Sequence, residues 1–147
     1  MTDKKQSFPP IYLYRRIVQA KLFIDSNYAE QINLNDIAGE AMLSKFHFIR
    51  LFKAAYGKTP HQYLTSVRIA HAGELMKSGM SVSEVCFTVG FDSISSFSAL
   101  FRKFNALTPS AFRAYELKRK QMIAKAPLQF VPGCFAEMNG WRAEKQF

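Results

Sequence analysis

A chain of 147 residues with 48% hydrophobic content is long enough to bury a core without metal or disulfide staples. Its 20 Lys and Arg against 11 Asp and Glu leave a formal charge of +9, which points to a polyanionic partner, nucleic acid ahead of an acidic membrane surface. No apolar run approaches the ~20 residues of a membrane span, and Met1 to Gln6 is polar with no apolar signal region after it, so neither a span nor export is expected and the cytoplasm is the expected location.

The first helical pattern runs from about Arg15 to Tyr28, where Ile17, Ala20, Leu22, Phe23 and Ile24 recur at helical spacing beside Arg16, Gln19 and Asp25. Residues 1–14 read as an N-terminal extension. Asn33 or Asn35 can cap a short second helix through Ala41, and Ser44 a third that ends where Gly57 supplies a left-handed stop. This pair, residues 34–56, reads as a first helix-turn-helix. Pro60 suits the first turn of a long linker helix over residues 60–78, because proline needs no amide partner there. Ser81 or Ser83 caps a fifth helix, Gly90 breaks it and Ser93 starts a sixth, giving a second helix-turn-helix over residues 82–105. Pro109 begins a seventh helix that carries Lys118, Arg119 and Lys120. The predicted fold is therefore all-α, seven helices forming two helix-turn-helix units on a linker helix. Residues 120–147 place Phe130, Val131, Phe135 and Trp141 among prolines and glycines, too apolar for a disordered tail, and are expected to fold back onto the domain and stabilise it.

The two units are copies. Ser44, Phe48, Leu51, Phe52, Thr59, Pro60 and Tyr63 reappear 49 residues later as Ser93, Phe97, Leu100, Phe101, Thr108, Pro109 and Phe112. Two copies make a duplication and not a solenoid, which needs at least three. In the third helix His47, Phe48, Leu51, Phe52 and Ala55 fall on one side as core, while Lys45, Phe46, Ile49, Arg50 and Lys53 fall on the other. From Ala41 through Gly73 there are five basic residues and no acid. A solvated face mixes charge signs and lacks an exposed Phe46–Ile49 pair, so this face is expected to meet DNA, with thymine methyls and sugar rings against the apolar side chains. In the sixth helix the expected core is Phe97, Leu100, Phe101 and Phe104; the opposite face is Ile94, Ser95, Ser98, Ala99 and Arg102, suited to positioning more than to reading bases.

Other chemistry is poorly supplied. His47, His61 and His71 do not converge on a metal, and His47 reads as a packed histidine. Cys86 and Cys134 have no C-x-x-C spacing; Cys86 takes the inward slot of Ala38, and Cys134 is expected to be buried and inert. With no G-x-S-x-G elbow, paired acidic motif or phosphate-binding glycine loop, neither an enzyme, a cofactor nor a metal is expected. The rival reading is a basic helical module that binds an acidic protein.

From Arg15 to Arg119 the chain resembles the dual helix-turn-helix DNA-binding domain of the AraC/XylS family of bacterial transcription regulators, through Ser44 to Lys53, Gly57-Lys58-Thr59-Pro60, Arg68-Ile69-x-x-Ala72, Gly90-Phe91-Asp92-Ser93 and Thr108-Pro109-x-x-Phe112-Arg113. The resemblance implies a regulator of transcription whose third and sixth helices enter successive major grooves about 34 Å apart on double-stranded DNA. The implied base readers are Phe46, Ile49 and Arg50, then Ile94, Ser95 and Ala99; the phosphate candidates are Ser44, Lys45, Lys53, Ser93, Arg102, Lys103, Thr108 and Arg113. The chain departs from the family at Met42 (usually glycine), Ala99 (commonly arginine), Cys86 (usually alanine) and Asn105-Ala106 (usually aromatic-glycine), where Asn105 is the expected substitute cap. With only about 14 residues before the first helix, it is similar to single-domain members, which implies a monomer on an asymmetric site, no sugar pocket, and RNA polymerase as a protein partner.

Overall fold

Side-chain caps and glycine stops cut the chain into short helices, and the computed structural model describes them over residues 10–140. In order these are α1 (Ile11–Asn27), α2 (Leu34–Glu40), α3 (Lys45–Tyr56), α4 (Pro60–Lys77), α5 (Val82–Thr88), α6 (Ile94–Asn105) and α7 (Pro109–Lys125). A 3-10 turn (Pro127–Phe130) and α8 (Gly133–Met138) follow, and no strand occurs among the described residues. The all-α fold is as expected, with α8 added. Helix α1 begins at Ile11 instead of Arg15, after Pro10.

Two cores form, one per repeat. Ile17, Ala20 and Ile24 of α1 meet Ile37, Ala38, Phe48, Phe52 and Leu64 in the first. In the second, Ile69, Ala72 and Met76 of α4 meet Val85, Cys86, Val89, Phe97 and Phe101. The triplets 17/20/24 and 69/72/76 share the i, i+3, i+7 spacing that puts side chains on one helix face. Helix α4 thus serves the second unit as α1 serves the first, while its start closes the first unit through Leu64. The aromatic rings repeat as well. Phe48 and Phe52 lie 5.5 Å apart at 57°, Phe97 and Phe101 5.7 Å apart at 52°. Tyr63 meets Phe52 edge-on at 5.6 Å, and Phe112 meets Phe101 edge-on at 5.3 Å.

The turns differ instructively. Each helix-turn-helix bends through a left-handed residue, Met42 at φ 51° in the first and Gly90 at φ 91° in the second. Their flanking carbonyls are closed alike, Leu43 N–H donating to Ala38 and Phe91 N–H to Cys86. A Cβ on Gly90 would stand 2.7 Å from the Ala29 carbonyl oxygen, whereas Met42 points its side chain outward at 78% exposure. The first turn therefore accepts a side chain at the cost of backbone strain, and the second cannot. Helix α3 ends on Gly57 at φ 70°; α6 ends on Ala106 at φ 61°, so Ala106 and not Asn105 takes the left-handed stop, while the Asn105 amide donates to the Phe101 carbonyl at 3.2 Å. Because a left-handed L-residue costs about 1–2 kcal/mol, only partly offset by the chain entropy of glycine, Met42→Gly and Ala106→Gly should each stabilise the fold by about 0.5–1 kcal/mol in thermal melts. Melting points unchanged or lowered in both would contradict this.

Capping boxes start α2, α4 and α5, with Asn33, Thr59 and Ser81 each paired to the side chain three residues on. At α5, hydrogen bonds from the Ser81 hydroxyl and then its backbone N–H hold the Glu84 carboxyl below the usual carboxylate range. A carboxyl depressed on folding contributes stability above its unfolded pKa and loses it as pH falls through the folded one. Glu84→Gln should therefore flatten the acid side of the melting profile; a parallel profile would rule the box out as a contributor.

Several expectations are corrected. Ser44 sits at the cap position of α3 but makes no side-chain cap hydrogen bond. Ala55 and Phe104, assigned to the core, are exposed, Phe104 by 46%. Among the described tail residues Ala136 is buried, but Phe130, which lies beside Tyr115, Lys118, Arg119 and Met122 of α7, is 43% exposed and Phe135 is 51% exposed. Cys134, expected buried, is exposed; Cys86 is buried beside the second core as expected, which pushes its thiol pKa up. Trp141 and Met1 to Gln6 lie outside the described residues. No helix among the described residues is long and apolar enough to cross a membrane.

Candidate nucleic-acid interface

Core packing decides which way α3 faces. With Phe48 and Phe52 fully buried, Lys45, Phe46, Arg50 and Lys53 are turned outward, Ile49 is half-buried at the edge of that face, and His47 is half-buried on the core side. Phe46 is 82% exposed, an apolar ring held in water between cations. Met42 precedes it at the turn, so two large apolar side chains stand at the head of α3. Among the described residues the ion pairs are Lys21–Asp25, Lys77–Glu74 and Arg119–Glu116, and none takes a cation of this face.

Helix α6 is set out in the same way by Phe97 and Phe101 and presents Ile94, Ser95, Ala99, Arg102 and Lys103, all exposed. Its start is more self-contained. The Ser93 hydroxyl accepts from Ser96 N–H at 3.4 Å and lies 2.8 Å from the Ser95 hydroxyl, where α3 has no equivalent bond at Ser44. The exposed Thr108 caps α7 by accepting from Ala111 N–H. The face of α3 combines two planar or long side chains, Phe46 and Arg50; that of α6 has short side chains, Ser95 and Ala99, at the corresponding places.

Arg113 is engaged within the protein. Its Nε donates to the Met80 carbonyl and its Nη2 to the Gly79 carbonyl, both at 3.1 Å, which ties α7 to the end of α4. Arg68 does the same for the first unit, Nε to the Tyr28 carbonyl at 2.6 Å and Nη2 to the Glu30 carbonyl at 2.8 Å, tying α4 to the turn after α1. Partial burial lowers the Arg68 pKa, and Asp92 opposes the shift. Tyr63 adds a bond to Asp25 at 2.8 Å, beside the Lys21–Asp25 pair. Arg68 was visible in the sequence only as part of a motif; its partners lie 38 and 40 residues away and leave no local signal.

Known proteins resemble this chain in sequence and in fold. A family profile described as a helix-turn-helix domain matches residues 37–115. The MmsAB operon regulatory protein of Pseudomonas aeruginosa is 40% identical over 84 residues, which cover 56% of this chain and 27% of that protein. An uncharacterised helix-turn-helix transcriptional regulator from Pseudoalteromonas carrageenovora, in the cgkA 5′ region, is 31% identical over 112 residues, covering 76% of this chain and 67% of the other. Among solved structures, the DNA-binding domain of AdpA in complex with a target DNA superposes with a TM-score of 0.66 at 26% identity, covering 76% of this chain and 96% of that one. The chain thus spans only about a quarter of the MmsAB regulator.

Proposed function

The chain belongs to the AraC-type helix-turn-helix family, and from that premise we propose that it regulates transcription by binding double-stranded DNA, with α3 and α6 in successive major grooves. The observation that carries this reading is the outward side of α3, where Phe46 is 82% exposed among Lys45, Arg50 and Lys53 in a stretch without acids. A solved neighbour of this fold holds target DNA. Helix α4, 18 residues and so about 27 Å long, is a spacer of the scale of one DNA turn.

In this reading Arg50 forks onto a guanine edge, and Phe46 and Ile49 lie against thymine methyls. Ile94, Ser95 and Ala99 face the second groove. Lys45, Lys53, Arg102 and Lys103 take phosphates, and the first-turn amides after Ser44, Ser93 and Thr108 set register. Arg113 leaves the phosphate set, since two of its nitrogens already hold carbonyls of the protein. The proposed state on DNA is a monomer in the bacterial cytoplasm, with RNA polymerase as the proposed protein partner. A fluorescence titration separates this from the acidic-partner reading: labelled duplex should be bound in the presence of excess polyglutamate, and displacement of the duplex by polyglutamate at equal charge concentration would favour the rival.

A further inference from the structure

We propose that Arg68, Gln31 and Gly90 form a clasp between the two helix-turn-helix units, making them positioning residues that set which half-site spacing the protein accepts; this rests on the two-groove reading above. The cores of the two units share little. Helix α4 passes through both, and Tyr28 is the side chain that packs against each of them, its ring stacked on His71 at 4.0 Å and 3°. Beside that joint, the loop after α1 lies on the turn of the second helix-turn-helix. The Gln31 amide donates to the Gly90 carbonyl and to Asp92 Oδ1, both at 3.1 Å. Arg68 holds the loop from the other side through the Tyr28 and Glu30 carbonyls, and its guanidinium lies 5.7 Å from the centre of the Phe91 ring.

Gly90 makes this approach sterically feasible. A Cβ there would come within 2.7 Å of the Ala29 oxygen and 3.0 Å of Arg68 Nη2, so the second unit can sit this close only without a side chain. The equivalent turn residue of the first unit, Met42, carries an exposed side chain, so the helix-turn-helix bend alone does not demand glycine. Gly90 differs from Met42 both in its larger φ of 91° and in the other unit pressed against it. Arg68 touches elements of both units, and Gln31 spans 59 and 61 residues of sequence to reach its two partners. Without the clasp, the angle between the units would rest on α4 and on Tyr28 alone, both on the α4 side of the joint. The clasp supplies a second point of attachment away from the α4 axis, and two such points fix an angle.

The consequence is mechanical. One base pair inserted between half-sites turns the second groove by about 35°, which a fixed joint cannot follow and a hinged one can. Gln31→Ala and Arg68→Ala, made separately in the full chain, test this in two ways. In the free protein, spin labels at Ala54→Cys and Lys103→Cys in a Cys134→Ser background should give one narrow distance distribution that broadens in either clasp variant. On DNA, the parent should lose about tenfold or more in affinity when one base pair is inserted, and the variants only about two- to threefold, with affinity for the first half-site alone unchanged. Gln31 lies at the surface, so its variant should melt close to the parent. An unbroadened distance distribution, an unchanged spacing profile, or equal loss on the half-site alone would overturn the clasp. Failure of every variant and the parent to bind duplex would instead remove the regulatory reading, and the distance distribution would still decide the joint.

Discussion

Raising salt from 50 to 200 mM should weaken binding to duplex DNA by about 150- to 500-fold, the loss expected when about four to five charges are neutralised at a log–log slope near −0.9 per contact. Lys45, Arg50, Lys53, Arg102 and Lys103 are exposed on α3 and α6 and outside the ion pairs of the described residues, so their charge is available to the polyanion. Arg68 and Arg113 are excluded from the count because their guanidinium groups hold backbone carbonyls. Anisotropy titrations across the salt series give the slope directly. A slope near that of two or three contacts would leave one helix off the DNA, and a flat plot would remove the electrostatic footprint altogether.

Arg50→Ala should cost about 1–3 kcal/mol and relax preference at one or two base pairs, as when a forked guanine contact is lost. Ser95→Ala should do less. The two recognition helices are copies in their buried rings but not in their exposed sides: α3 presents an exposed Arg50 and Phe46, while α6 presents Ala99 and Ser95, with the Ser95 hydroxyl already 2.8 Å from Ser93. Reading should therefore be concentrated beneath α3, with groove shape and phosphate contacts holding the other half in register. Competition of each variant against operators substituted at single positions measures this. An Arg50→Ala protein with unaltered preferences would end the assignment of that residue.

The repeat was legible because its period is set by buried phenylalanines, and burial leaves a strong periodic mark: Phe48, Phe52, Phe97 and Phe101 are fully buried, as their spacing implied. The start of α1 was missed for the converse reason. Ile11 and Tyr12 are 75% and 55% exposed, so they add apolar letters without a buried stripe. Phe104 misled in the same way, falling at helical spacing from Phe97 and Phe101 just where α6 runs past the edge of its core. The left-handed stop at Ala106 was hidden because the residue type argues against it, and the neighbouring Asn105 offered a chemically better candidate. Arg68, Arg113 and Gln31 could not be placed, since their partners lie 33 to 61 residues away and, apart from the Asp92 carboxylate, are backbone carbonyls, which carry no letter in the sequence. The outward residues of α3 and α6 were legible as a face; their contacts with DNA are proposed from chemistry and await the measurements above.

The central claim, that one chain reads two successive grooves unequally, is tested most directly by selecting bound duplexes from a random pool and reading the preference at every position. The account predicts two blocks of preference about ten base pairs apart, centre to centre, the block beneath α3 sharp and the block beneath α6 shallow. A single block, two equally sharp blocks, or a pool that emerges without sequence preference would contradict it.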